Sequence, residues 1–130
     1  MDLKGLKINV LGDSITEGCH ASGIDLCFWR LLAVRDKALV RGYGIGGTRI
    51  ARQMTPSRDP QYDRYFGSRV ADMDPDADVV LVFGGTNDYG HGDAPMGRMS
   101  DRCEDTFYGA LHCLYRSLLK KYPKAVIAVM

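Results

Sequence analysis

No stretch of this chain stays apolar for the roughly 18–20 consecutive positions that a membrane-spanning helix needs, which excludes a helical membrane span. Charge of one sign is also missing. Lys and Arg number 17 against 16 Asp and Glu, a formal net charge of +1. Neither nucleic acid nor an anionic membrane surface is therefore expected as a partner. The four cysteines, Cys19, Cys27, Cys103 and Cys113, show no C-x-x-C spacing and no metal-type pairing with histidines. Free thiols and no metal site are expected. The opening Met1-Asp2-Leu3-Lys4-Gly5-Leu6-Lys7 lacks a basic region followed by a long apolar stretch, so no secretory signal is read and a cytoplasmic location is expected. There is no repeat, linker or low-complexity segment. At 130 residues, 45% apolar and 25% charged, the chain is expected to be a single domain over 1–130, neither disordered nor a coiled coil.

What the chain does have is glycine, 15 of 130 residues, well above the usual ~7%. The glycines cluster behind apolar segments. Three segments are short and nearly continuously apolar: Leu6–Leu11, Ala77–Phe83 and Ala125–Met130. Val and Ile enrichment without strict alternation predicts strands buried on both faces, as in a parallel sheet. Ala38-Leu39-Val40 is a weaker fourth strand. Helical patterning falls between them. The clearest stretch runs from about Cys103 to Lys121, with Phe107, Ala110, Leu111, Leu114 and Leu118 on one stripe. Asp101 and Glu104 have a capping-box spacing, Lys120 and Lys121 suit the helix dipole, and Pro123 ends the helix. Further helices are predicted over about Asp25–Lys37 and near Tyr62–Asp72. Alternating strands and helices imply an α/β sandwich of three layers around a mostly parallel sheet.

In open parallel sheets ligands bind beyond the carboxyl ends of the strands, and each glycine cluster follows a predicted strand. The first is Gly12-Asp13-Ser14-Ile15-Thr16-Glu17-Gly18. A serine at a sharp strand-to-helix turn can expose its hydroxyl beside backbone N–H groups, although Ser14 could equally serve as a helix N-cap. The second is Gly42-Tyr43-Gly44-Ile45-Gly46-Gly47-Thr48. Here Gly42, Gly44 and Gly47 spell G-x-G-x-x-G, but Asp72, Asp74 and Asp76 precede the next strand instead of ending it. The acid that a dinucleotide ribose requires is thus misplaced, and no dinucleotide cofactor is expected. The third is Phe83-Gly84-Gly85-Thr86-Asn87-Asp88, where the Asn87 amide could donate to a developing oxyanion or close a turn on its own backbone.

Taken together these turns resemble the GDSL, or SGNH, hydrolases, whose blocks place Ser, Gly, Asn and His at strand ends. Gly12-Asp13-Ser14-Ile15-Thr16 is similar to the first block, Gly44-Ile45-Gly46-Gly47 to the second, and Gly85-Thr86-Asn87-Asp88 to the third. The resemblance spans about Leu6 to the end of the chain and implies a flavodoxin-like SGNH-hydrolase fold, here truncated after the fourth strand. It implies Ser14 as nucleophile, and an oxyanion hole formed by the Ser14 and Gly47 N–H groups and the Asn87 amide. Asp13 and Asp88 would support the site, and no cofactor is implied. Gly47 would be glycine so that backbone can approach the ligand closely.

The family pattern is broken at Gly42, where Asn is usual, and at the fourth block, an Asp-x-x-His element that supplies the base and lies beyond the last strand. Of the three histidines, His112 is predicted on the solvated side of its helix and His20 in a loop. His91 completes Asp88-Tyr89-Gly90-His91, an Asp-x-x-His within the third block, and is read as a substrate-loop residue more readily than as the base. The expected function is a serine ester hydrolase acting on small acyl esters, including those of carbohydrates, and impaired as this chain without its base. The alternative is a non-catalytic binding module that keeps the pocket. The apolar segment Ala125–Met130 further predicts a homo-oligomer joined through the C-terminal strand.

Overall fold

The computed structural model describes residues 2–130. Four strands, β1 (Lys7–Gly12), β2 (Leu39–Gly44), β3 (Val79–Phe83) and β4 (Val126–Val129), form one sheet in the order β2-β1-β3-β4. Every pairing is parallel, with Ile8 opposite Val40 on one side and opposite Val79 on the other. The helices are α1 (Ser14–Glu17), α2 (Phe28–Asp36), α3 (Phe66–Arg69), α4 (Thr86–His91) and α5 (Phe107–Lys121), with 3₁₀ turns at Ile24–Leu26, Pro60–Asp63 and Val70–Asp72.

The strand pleat sorts side chains into two cores. Ile8, Val10 and Val79 face one way and pack with Ala38, Phe28 and Trp29. Leu11, Val80 and Val82 face the other way, against Phe66, Val70, Ala110, Leu114 and Leu118. Helix α2 therefore covers one face, and α3 and α5 the other, giving the three layers expected from the sequence. This is why β1 and β3 read as continuous apolar runs: both faces of each strand are buried. The exception is Asn9, wholly buried in β1 and satisfied there. Its amide donates to Asp74 O (2.8 Å) and Tyr122 Oη (3.2 Å), and its Oδ1 accepts from Arg41 (3.3 Å).

The elements differ from the sequence reading in several respects. β2 does not stop at Val40 but continues through Gly42 and Gly44, because pairing along β1 extends that far. The first two glycines of the G-x-G-x-x-G string thus lie within a strand. α5 begins at Phe107, not Cys103, and the Asp101/Glu104 capping box does not form. Thr106 is the cap, its hydroxyl accepting from Gly109 N (3.2 Å), while Asp101 accepts from that same hydroxyl (2.9 Å). The predicted Tyr62–Asp72 helix is broken into a 3₁₀ turn, the four-residue α3 and a second 3₁₀ turn. Lys121 explains how that broken segment is held. Its ammonium does not serve the α5 terminus but donates to Val70 O, Ala71 O and Met73 O at 2.6–2.8 Å. Finally, β4 is an edge strand, with Val126 and Val129 each 49% exposed.

Candidate active site

The first glycine turn is built around Asp13. Buried at 1% exposure, it is the N-cap of α1 and its carboxylate accepts from Ile15 N (3.0 Å). Since Asp13 performs the capping, Ser14 occupies the first helical position instead of the cap. Its partly exposed hydroxyl is released from the structural role that the sequence left open. The turn ends at Gly18, whose φ of +99° is left-handed and favours glycine.

The second turn packs directly on the first. A side chain at Gly44 would strike the Thr16–Glu17 backbone, and a Cβ on Gly46 would lie 3.7 Å from Ser14 Cβ. Glu17, which the sequence reading passed over, fastens the two turns: its Oε2 accepts from Gly46 N (2.8 Å). With that N–H engaged, the Gly47 N–H is the next donor along the loop. Gly47 has φ +73°, and a Cβ there would meet the Tyr62 ring at 2.9 Å. Both its backbone conformation and the overlying Tyr62 therefore require glycine, in addition to any approach by a ligand.

The third turn enters α4, a helix the sequence reading did not predict. Asn87 is buried near its start, and its amide nitrogen donates to Thr48 O (2.8 Å), the residue after Gly47. Asp88 locks the same interface, with its two oxygens accepting from Ile50 N and Ala51 N (2.9 Å each). The loop after β2 is thus fastened to the first turn through Gly46 and Glu17 on one flank and to Asn87 through Thr48 on the other. His91 is the last residue of α4 and not a loop residue. Its Nε2 lies 3.0 Å from Asn87 Oδ1 and its Nδ1 lies 2.8 Å from Arg49 Nη2. Both ring nitrogens are therefore occupied. The carboxylate of the local Asp-x-x-His string holds backbone amides and not this ring.

Arginine 69 binds the platform together from below. It is 3% exposed, and its guanidinium donates to Gly12 O (3.0 Å), Tyr43 O (2.9 Å) and Thr48 Oγ1 (3.0 Å) while lying over the Phe66 ring. The ends of β1 and β2 and the second glycine loop thereby share one cation. Burial, reinforced by the nearby Arg64, pulls its pKa down to about 10, so it remains charged at neutral pH. Nothing in the local sequence Gly67-Ser68-Arg69-Val70 announces this role. A cavity of about 270 Å³ next to α4 is lined by Arg49, Gly85, Asp88, Ala94, Met96 and Phe107, among others, but not by Ser14, Gly47 or Asn87. Among the described residues no helix is long and apolar enough to cross a membrane, and no cluster of His, Cys, Asp and Glu could hold a metal ion.

A parallel sheet carrying a serine turn, a glycine loop and an asparagine turn at adjacent strand ends defines the α/β architecture of the GDSL type. The chain belongs to the GDSL-like Lipase/Acylhydrolase family, whose model matches residues 10–130. Among solved structures it is similar to a protein from Lactobacillus plantarum, at 32% identity and TM-score 0.78 over 97% of this chain and 55% of that one. A candidate GDSL-like lipase from Bacteroides uniformis ATCC 8492 matches at 24% identity and TM-score 0.80, covering 96% of this chain and 70% of that one. A family two carbohydrate esterase from Clostridium thermocellum, in complex with cellohexaose, matches at 19% identity and TM-score 0.66, covering 97% and 43%. These last two likenesses concern the fold alone. The chain spans little more than half the length of the Lactobacillus protein. No curated protein matches it.

Proposed function

We propose that this chain carries the nucleophile and oxyanion-binding part of a GDSL-type serine ester hydrolase acting on small acyl esters, including acyl groups on carbohydrate. The observation that carries this reading is the division of labour at the first turn: Asp13 caps α1, which frees the part-exposed Ser14 from that role in a turn that Glu17 fastens to Gly46. In the proposed reaction the Ser14 oxygen adds to the ester carbonyl and its proton passes to a base. Negative charge collects on the carbonyl oxygen, which the Ser14 and Gly47 N–H groups and the free Asn87 N–H would stabilise. A single such donor is worth on the order of 3–4 kcal/mol of barrier lowering. Collapse expels the alcohol and leaves an acyl-serine for water to hydrolyse. The polar stretch Tyr89-Gly90-His91-Gly92-Asp93 that follows the Asn87 turn favours a short acyl group over a long lipid tail.

The base is the weak point of the chain as it stands. With His91 held by Asn87 and Arg49, Ser14 lacks an activating partner from that residue, and serine is a poor nucleophile at its free pKa. The same observation favours the second reading, a binding module that retains the pocket without turnover. A serine-reactive fluorophosphonate followed by intact-mass and peptide mass spectrometry separates the two. The hydrolase reading expects one adduct, on Ser14, that disappears in Ser14→Ala together with any aryl acetate hydrolysis. A wild-type chain that stays unlabelled defeats it and leaves the binding module. Self-association through the exposed edge of β4 and action inside the cytoplasm belong to the same proposal.

A further inference from the structure

We infer that Arg49 and His91 form a positioning relay that fixes which way the Asn87 side-chain amide points. Three hydrogen bonds follow one another: Arg49 Nη2 to His91 Nδ1 (2.8 Å), His91 Nε2 to Asn87 Oδ1 (3.0 Å), and Asn87 Nδ2 to Thr48 O (2.8 Å). The direction of this chain follows from donor and acceptor inventories alone. A guanidinium can only donate, so Nδ1 of His91 must present its lone pair. The neutral ring then carries its hydrogen on Nε2, which can donate only to an acceptor, and Asn87 supplies Oδ1. The amide nitrogen is thereby turned toward Thr48 O.

Flipping the amide would set its NH2 against the Nε2–H of His91 and its oxygen against the Thr48 carbonyl, two repulsions in place of two bonds. An asparagine normally has little to choose between its two orientations. Here the choice is supported by Arg49, two positions beyond Gly47 of the second block, acting through His91 at the end of α4. Arg49 is itself buried. It is 7% exposed, and Nη1 reaches Tyr62 O at 3.5 Å. One Asn87 N–H is consumed by Thr48 and the other remains for a substrate oxygen. The inference rests on the reading of Asn87 as an oxyanion donor, for which His91 is a positioning residue and Arg49, which also lines the neighbouring cavity, orients His91.

The test uses the full 130-residue chain, labelled with ¹⁵N. Long-range ¹H–¹⁵N correlation spectra of the imidazoles should show His91 as the Nε2–H tautomer with a bare Nδ1, and the Asn87 amide protons as one sharp pair. In His91→Leu the Asn87 pair should broaden or split, whereas His91→Gln, which can both accept from Arg49 and donate to Asn87, should restore it. Arg49→Met should release the tautomer preference. An Nδ1–H tautomer in the wild type, or an Asn87 pair unchanged in a folded His91→Leu, overturns the inference, and the wild-type spectrum decides it even if a variant fails to fold. Fluorophosphonate labelling of Ser14 reads the other question separately. If the wild type labels, His91→Leu should slow the reaction about tenfold, less than outright loss of an oxyanion donor would, with His91→Gln restoring it. If the wild type does not label, the hydrolase reading fails while the spectra still decide the relay.

Discussion

Replacing Arg69 with methionine sets two large effects against each other, and the structure indicates which wins. The guanidinium supplies three hydrogen bonds to buried acceptors and sits 4.9 Å above the Phe66 ring. Two of the acceptors have other partners: Gly12 O also receives Ile45 N (3.3 Å), and the Thr48 hydroxyl also donates to Ile45 O (2.7 Å). The loss per bond should therefore lie at about 1.5 kcal/mol and not at the top of the range for orphaned groups, with about 1 kcal/mol more for the cation over the ring. Against this stands relief from burying a charge. A pKa pulled to about 10 corresponds to a desolvation cost of about 3 kcal/mol that methionine does not carry. The bonds win, and Arg69→Met should destabilise the fold by about 2–3 kcal/mol. Arg69→Lys should do no better, since it keeps the buried charge but cannot span all three acceptors. Urea unfolding followed through Trp29, the sole tryptophan, gives the readout, because its indole donates to Thr16 O (2.7 Å) beside the site. An Arg69→Met variant within about 0.5 kcal/mol of wild type, with an unchanged urea dependence, would refute the claim that this cation holds the platform.

Leu114 is wholly buried in the core between α5 and the sheet, so Leu114→Ala should lose about 2–5 kcal/mol in the same urea assay, and a loss under ~1 kcal/mol would mean the core is loosely packed there. Asp93 is held below the usual carboxylate range by the Met54 and Thr55 N–H groups, and Asp101 by the Arg98 N–H and the Thr106 hydroxyl. Both pKa values are lower folded than unfolded, so their contribution is complete above the ordinary value of about 4 and disappears as pH falls through the folded values. Asp93→Asn should accordingly flatten the acid side of the stability–pH curve, and an unaltered slope would contradict the assignment. Val126, Val129 and Met130 lie 49%, 49% and 55% exposed along the β4 edge, a template for pairing with another chain. Light scattering at tens of micromolar should show a dimer or larger species, and a clean monomer counts against it.

The sequence by itself determined the parallel sheet, because strands buried on both faces must be apolar at consecutive positions, and Leu6–Leu11 and Ala77–Phe83 are. It determined the stripe of α5, and it located the three glycine turns through residue types that few other structural roles demand. The tertiary structure alone decided what each polar residue in those turns does. Asp13 and not Ser14 caps α1, Thr106 and not Asp101 caps α5, and Lys121 serves a segment some fifty residues earlier in the chain. Arg49, Arg69 and Glu17 were invisible as site residues for the same reason. Hydrophobic burial follows a short local period that a sequence displays, whereas a hydrogen bond spans whatever distance folding closes. Asn87 and Thr48 are 39 positions apart, and Arg69 and Gly12 are 57 apart. No local pattern records those pairings, and they exist only once the sheet has brought the strand ends together.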